Sequence, residues 1–81
     1  GVYVVKVELF SCEYFGMLNI SFNRSKVEVH IFDFLKDIYN QEIKIHMISY
    51  LREEKDFADY KLLKEQLIKD ENNAKRLLKV H

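Results

Sequence analysis

The sequence predicts a mainly β domain in which about four antiparallel strands are followed by one C-terminal helix. Four segments are rich in β-branched and aromatic residues that alternate between two faces, which is typical of strands. The short connections between these segments favour antiparallel pairing of successive strands. After Asp59 the apolar residues recur at helical spacing instead. We therefore expect a sheet with one helix packed across it.

The four predicted strands span residues 2–9, 14–21, 26–34 and 42–51. The first has an apolar face made by Tyr3, Val5, Val7 and Leu9. The second contains Gly16, which inside a strand marks a bulge or the close approach of another backbone. In the third, Glu28 shares one face with His30 and Phe32, and the opposite face is apolar.

The predicted helix spans residues 59–79 and begins at Asp59, whose short carboxylate can accept hydrogen bonds from the first turn. Lys75, Arg76 and Lys79 gather in its last turns, where the helix dipole favours cations. The helix also carries an apolar stripe of Tyr60, Leu62, Leu63, Leu67, Ile68, Ala74, Leu77 and Leu78. We expect this stripe to pack on the sheet as core and not to form a binding face.

The composition excludes several classes of function. The 81 residues suit one small domain, and their net charge of zero is mixed along the chain without a basic stripe, so nucleic acid is not an expected partner. No apolar run approaches the roughly 18 residues of a membrane span, and no signal peptide is visible. The single Cys12 fits a reducing cytoplasm, where we expect this protein.

General chemical motifs assign no activity to these residues. The chain has neither a phosphate-binding P-loop nor the glycine fingerprint of a dinucleotide site, and it lacks the paired cysteines of a zinc site. Taken by itself, Glu28 has an ordinary interpretation as a solvated strand residue. The mixture of His30 and Phe32 on its face would also suit a wall that contacts a ligand.

Five motifs follow one another along the chain: Gly1-Val2-Tyr3, Gly16-Met17-Leu18-Asn19-Ile20, Val27-Glu28-Val29-His30-Ile31-Phe32-Asp33-Phe34, Asp37-Ile38-Tyr39 and Leu51-Arg52-Glu53-Glu54-Lys55-Asp56-Phe57. In sequence and order they resemble the motifs of the riboflavin kinase family, which also forms the C-terminal module of bifunctional FAD synthetases. The helix adds the family's pattern of Leu63, Gln66, Asp70 and Ala74. The resemblance implies that residues 1–81 form one domain, the C-terminal portion of a Greek-key β-barrel with the helix packed across it.

The resemblance also implies a chemistry. Riboflavin kinases transfer the γ-phosphoryl group of ATP to the 5′-hydroxyl of riboflavin, giving FMN and ADP, with Mg²⁺ or Zn²⁺ on the phosphates. Glu28 occupies the place of the family's catalytic base, which accepts the hydroxyl proton. Arg52 and Glu54 correspond to residues beside the flavin. Their ordinary alternative is an exposed ion pair worth about 0–1 kcal/mol.

The sequence departs from the family in ways that bear on activity. The family's barrel has two further strands before the position of Gly1, which carry a nucleotide loop and a Pro-Thr-Ala-Asn motif that holds metal and phosphates. This sequence starts after both, and Asn23-Arg24-Ser25 replaces the family's Asn-Pro-Thr. We therefore assign no metal ligand and expect the 81 residues alone to be inactive. The alternative is a non-catalytic truncated or engineered barrel fragment with a structural role, which forms oligomers through open strand edges.

Overall fold

The structure is a computed structural model that describes residues 1–23, 26–34 and 41–79. Its elements are β1 (Val2–Leu9), β2 (Cys12–Ile20), β3 (Val27–Ile31), β4 (Lys44–Arg52) and α1 (Tyr60–Leu78). The strands form one antiparallel sheet in the order β3-β2-β1-β4, which confirms the predicted fold class. Within the described residues the sheet is open, with β3 and β4 at its edges. The motif Asp37-Ile38-Tyr39 lies outside the described residues.

A two-residue turn joins β1 to β2. Leu9 pairs with Cys12, and the intervening Phe10 and Ser11 both have positive φ angles, of 53° and 62°. Two successive positive φ values are the geometry of a type I′ hairpin turn, which usually contains asparagine or glycine. Since neither residue is of that type, no turn signal is visible at this point of the sequence, and β2 begins two residues before the predicted position.

Gly16 allows β2 and β3 to approach each other closely. A Cβ atom at this position would lie 2.3 Å from the carbonyl oxygen of His30 and 3.1 Å from the Cα atom of Ile31. The φ angle of Gly16 is not positive, so the requirement for glycine comes from space and not from backbone conformation. The predicted close approach of another backbone is thereby confirmed.

The sheet buries one apolar cluster on each face. The helix-side cluster contains Val2, Val4, Met17, Phe32 and Ala74, with Ile48, Leu51, Leu77 and Leu78 packed against it. The opposite cluster contains Val5, Val7, Leu9, Leu18 and Ile31, with Tyr3, Tyr14, Ile20, Val29, Phe34, Ile43 and Ile45 at its margin. The central strand β1 supplies side chains to both, as its predicted alternation requires. The register of its pairing with β4 shifts twice, between Val2 and Tyr3 and between Val4 and Val5, as at a β-bulge.

The helix begins as predicted, because the side chain of Asp59 accepts a hydrogen bond from the backbone N–H of Leu62 at 2.9 Å. Its C-terminal half packs on the sheet through Ala74, Leu77 and Leu78. Its N-terminal half does not, since Tyr60, Leu62, Leu67 and Ile68 are all exposed. The expectation that the whole stripe forms core is therefore wrong for that half. No helix among the described residues is long and apolar enough to cross a membrane.

Candidate functional site

A cavity of about 550 Å³ lies where the N-terminal half of α1 stands beside the sheet. Three parts of the chain line the cavity. The strands contribute Val2, Met17, Asn19, Glu28, Val29, His30 and Arg52, and the segment after β4 contributes Glu54, Lys55 and Phe57. The helix contributes Leu63, Lys64, Leu67, Ile68, Asp70 and Glu71. The volume lies in the range of small-molecule sites, roughly 300–1,000 Å³. Seven of the sixteen lining residues are apolar and nine are polar or charged, so the cavity offers both apolar contacts and hydrogen-bonding groups.

The three predicted site residues all line this cavity. Glu28 comes from β3, Arg52 from the last position of β4, and Glu54 from the segment that leads to the helix. Glu28 is more than twenty residues from Arg52 and Glu54 in sequence, so only the antiparallel order β3-β2-β1-β4 and the return of the chain toward α1 bring it to the same cavity.

Glu28 is an exposed residue at the cavity wall. Its Cα pairs across the strands with that of Asn19, and its Oε1 lies 3.0 Å from the Nζ of Lys26, which is also exposed. An ion pair this exposed contributes about 0–1 kcal/mol to stability, so it does not hold the carboxylate in place. His30, on the same face, also lines the cavity, whereas Phe32 is buried in the helix-side cluster.

Arg52 is held by a buried carboxylate and not by Glu54. Its Nε donates to Oδ1 of Asp70 at 2.8 Å and its Nη2 donates to Oδ2 of Asp70 at 2.7 Å, while its Nη1 donates to the carbonyl oxygen of Glu53 at 2.8 Å. The Arg52 side chain is only 17% exposed. The alternative of an exposed Arg52–Glu54 ion pair is therefore wrong, because the partner is on the helix and the pair is desolvated.

Asp70 is a site residue that the sequence interpretation missed. It is 1% exposed, and its Oδ1 also accepts a hydrogen bond from the Nε2 of Gln66 at 2.9 Å. Burial raises the pKa of this carboxyl, but hydrogen bonds from Arg52 and Gln66 and the charges of Arg52 and Lys55 outweigh that effect and lower the pKa below its ordinary value of 3.8. The available signal was an aspartate on the apolar stripe, between Leu67 and Ala74.

Glu54 joins two parts of the chain. Its Oε2 accepts a hydrogen bond from the backbone N–H of Phe22 at 2.8 Å, so the segment after β4 is tied to the turn between β2 and β3. Glu54 and Lys55 also border a second, more open depression of about 770 Å³, lined further by Gly1, Tyr3, Ser21, Phe22, Asn23, Tyr50, Glu53 and Asp56.

Asn19 is a second residue that was missed. Its side-chain oxygen Oδ1 is buried, and no hydrogen-bond donor in residues 1–23, 26–34 or 41–79 reaches it. A buried acceptor without a donor costs about 1–3 kcal/mol, and such groups are uncommon in native proteins. Asn19 as a residue also lines the cavity, and its Cα pairs with that of Glu28. Its cross-strand register with Glu28 was the signal that sequence reasoning overlooked.

The described part of the chain contains no group of three or more histidine, cysteine, aspartate or glutamate side chains that could hold a metal ion. The acidic groups of the cavity have other partners: Asp70 binds Arg52, Glu54 accepts from the Phe22 N–H, Glu28 lies beside Lys26 and Glu71 lies beside Lys75. These residues do not form a site for a divalent metal.

Comparison with known protein families identifies the family of this chain. The family model for riboflavin kinase, Flavokinase, matches residues 1–78. The chain belongs to the riboflavin kinase family. The resemblance predicted from the sequence motifs is thereby confirmed, and every residue that lines the cavity falls within the matched part of the riboflavin kinase domain.

Curated relatives of this riboflavin kinase domain include two bifunctional riboflavin kinase/FMN adenylyltransferases. That of Bacillus subtilis is 35% identical over 85 residues, which cover 94% of this chain and 27% of the relative. That of Haemophilus influenzae is 39% identical over 82 residues, which cover 93% of this chain and 27% of the relative. The chain therefore spans about a quarter of the length of the curated relatives it matches.

A solved structure shares the fold. The crystal structure of a protein described as a macrolide-efflux protein from Streptococcus pneumoniae matches with a TM-score of 0.80 and 33% identity, over 93% of this chain and 27% of that one. The match covers nearly all of the riboflavin kinase domain, so the same fold is also found in an experimental structure.

Proposed function

We propose that the cavity binds riboflavin and that the chain takes part in transfer of the γ-phosphoryl group of ATP to the flavin's 5′-hydroxyl, giving FMN. The observation that carries the proposal is the convergence of Glu28, Arg52 and Glu54 on one cavity of about 550 Å³. These are the residues that the family motifs assign to the base and the flavin contacts. Family membership and the names of the curated relatives support the same activity.

The two kinds of lining suit the two kinds of surface on a flavin. Phe57, Leu63 and Leu67 offer an apolar wall for the flat ring system. Arg52 and Asn19 offer a donor and an acceptor for the carbonyl and N–H groups at the ring edges or for the hydroxyls of the side chain. A ligand of this shape would cover apolar surface that is otherwise exposed to water.

Glu28 is proposed as the proton acceptor for the 5′-hydroxyl. Phosphoryl transfer depends mainly on positioning and on neutralisation of charge, so the base must above all reach the hydroxyl within hydrogen-bond distance. Glu28 is exposed and its ion-pair partner among the described residues is the exposed Lys26, so its side chain can rotate toward a bound hydroxyl without breaking a buried ion pair. Glu28 then accepts the proton while the hydroxyl oxygen bonds to phosphorus and ADP departs.

The phosphate donor in this family is ATP with a divalent metal, and either Mg²⁺ or Zn²⁺ is compatible with the proposal. The Pro-Thr-Ala-Asn motif does not occur in these 81 residues, which contain no proline. The proposal therefore assigns them the flavin site and the base, and not the metal site. Riboflavin or FMN and ATP or ADP are the proposed partners, in the cytoplasm. Pairing of two copies through open strand edges stays a prediction; among the described residues those edges belong to β3 and β4.

The proposal is tested first by binding. Titration of the 81-residue chain into riboflavin, followed by flavin fluorescence, should show saturable binding, because the residues proposed to contact the flavin are all present. The same chain with ATP and Mg²⁺ or Zn²⁺ should form no FMN. Absence of saturable riboflavin binding by the folded chain would contradict the proposal.

The role of Glu28 is tested by Glu28→Gln in a longer chain that adds the family's metal-binding strands before Gly1 and forms FMN. Loss of a general base typically lowers kcat by about 10²–10⁴-fold, whereas flavin affinity should change little. Glu13→Gln is the matched control, because Glu13 is also an exposed strand glutamate near a lysine, with its Oε1 3.7 Å from the Nζ of Lys6. A kcat for Glu28→Gln within a few-fold of the parent would remove Glu28 from the reaction.

A further inference from the structure

We propose that Asp70 is a positioning residue for flavin binding: it fixes the guanidinium of Arg52 so that the remaining N–H groups are presented to an acceptor atom of the flavin. This inference rests on the proposed function, since it concerns the same cavity and the same ligand. Asp70 and Arg52 both line that cavity, and they come from the helix and from the end of β4.

The hydrogen bonds fix both the position and the plane of the guanidinium. Two parallel bonds from Nε and Nη2 to the two oxygens of Asp70 form a bidentate pair, and the bond from Nη1 to the Glu53 carbonyl holds a third nitrogen. An arginine has one N–H on Nε and two on each terminal nitrogen. One N–H on Nη1 and one on Nη2 are therefore left over for an acceptor such as a flavin carbonyl oxygen.

Stability gives only a weak reason for an aspartate at this position. Burial of two charges costs several kcal/mol per ion before their attraction is counted, and apolar residues of similar volume often serve equally well or better. Asp70 stands on a stripe of apolar residues, between Leu67 and the buried Ala74, where an aliphatic side chain would continue the packing. The orientation of Arg52 is a specific reason for the charge.

Gln66 adds one more hydrogen bond to the Asp70–Arg52 pair. It lies one turn before Asp70 on α1, and its Nε2 donates to the same Oδ1 that accepts from the Nε of Arg52. This bond fixes the plane of the carboxylate, which in turn fixes the plane of the guanidinium. The order of dependence therefore runs from Gln66 to Asp70, from Asp70 to Arg52, and from Arg52 to the ligand.

The test is a double-mutant cycle on riboflavin affinity in the 81-residue chain, measured by flavin fluorescence. Asp70→Asn and Arg52→Gln should each weaken binding by about tenfold, the equivalent of one charge-assisted hydrogen bond. The double variant should bind no more weakly than Arg52→Gln alone, because Asp70 acts only through Arg52. Val7→Ala is the control for lost stability: Val7 is buried in the opposite cluster, away from the cavity, and this variant should keep the parent affinity while folded.

Two further measurements keep the test decisive. The NMR signal of the Arg52 Nε–H in the ligand-free chain should exchange with water faster in Asp70→Asn than in the parent. If Asp70→Asn does not fold, Gln66→Ala replaces it and should weaken binding a few-fold, again only when Arg52 is present. Parent-like affinity of the folded Asp70 variant, or an equal loss in the Arg52→Gln background, would overturn the positioning role while the proposed function stands. Absence of riboflavin binding by the parent would overturn both.

Discussion

The two halves of α1 carry one apolar stripe but use it differently. In the C-terminal half, Ala74 is fully buried against the sheet, and Leu77 and Leu78 pack beside it. In the N-terminal half, Leu67 is 43% exposed and Ile68 54% exposed, and both line the cavity. The helical spacing of apolar residues thus shows which face of the helix is apolar. It does not show whether that face packs on the sheet or borders the cavity.

The difference between the halves has an energetic meaning. Apolar surface stabilises a fold only when it leaves water, by about 25 cal/mol for each Å² buried. The C-terminal half gains this on folding, whereas the exposed side chains of the N-terminal half gain it only when a molecule fills the cavity. Asp70 lies between the halves, and its hydrogen bonds to Arg52 mark where packing ends and the cavity begins.

The largest loss of stability is expected from a change in the sheet that supports both halves of α1. Gly16→Ala places a Cβ atom 2.3 Å from the His30 carbonyl oxygen and must push β2 and β3 apart. Overpacking of this kind costs about 1–3 kcal/mol, and we expect the upper end because the obstacle is backbone. Urea unfolding curves measure this loss of stability.

The control is Glu13→Ala, at an exposed position of the same strand, whose free energy of unfolding should stay within about 0.5 kcal/mol of the parent's. Equal stability of the two variants would show that the strands part easily.

A smaller effect on stability should distinguish the two halves of α1 directly. Leu77→Ala removes a side chain packed on the helix-side cluster and should lower the free energy of unfolding by about 1–2 kcal/mol, below the range for fully buried leucines. Leu67→Ala, the same change on the same helix, should alter it by less than about 0.5 kcal/mol. Riboflavin affinity should respond in the reverse order, with Leu67→Ala weakening it several-fold and Leu77→Ala leaving it nearly unchanged. If both variants lost stability alike, the N-terminal half would be packed core after all.

The smallest effect concerns pH. Because the pKa of Asp70 is lowered in the folded protein, the ionised carboxylate stabilises the fold at pH values above its ordinary pKa of 3.8. That contribution is lost as the pH falls further, through the folded pKa. The stability difference between the parent and Asp70→Asn should therefore be greatest near neutral pH and shrink in acid. Unfolding curves of both chains at several pH values measure it, and a difference that does not change with pH would contradict the assignment.

Some elements of the fold could be predicted from the sequence because residue type and spacing indicate them. The alternation in β1 and the cap at Asp59 depend on the residues themselves and their near neighbours, whereas Gly16 was recognised by its residue type although the backbone that requires it belongs to β3. The turn at Phe10 and Ser11 did not follow, because strand pairing imposes positive φ angles on residues that do not favour them.

The site was predicted less completely, for a physical reason. Glu28, Arg52 and Glu54 were identified by family motifs, and no rule of spacing shows that they meet. Asp70 and Asn19 were missed because their importance depends on what lies opposite them in the folded chain. A buried carboxylate is recognised by its arginine, and an unpaired amide oxygen is recognised by its lack of a donor among the described residues.

Glu54 has a consequence that reaches beyond its own contacts. It borders both the cavity beside α1 and the more open depression near Tyr50, and it holds the Phe22 N–H of the turn between β2 and β3. A molecule in either place that draws Glu54 away from Phe22 alters the walls of the other. Because energetic coupling between two sites is reciprocal, each occupant must then change the affinity of the other by the same factor. One carboxylate thus forms part of the walls of both depressions.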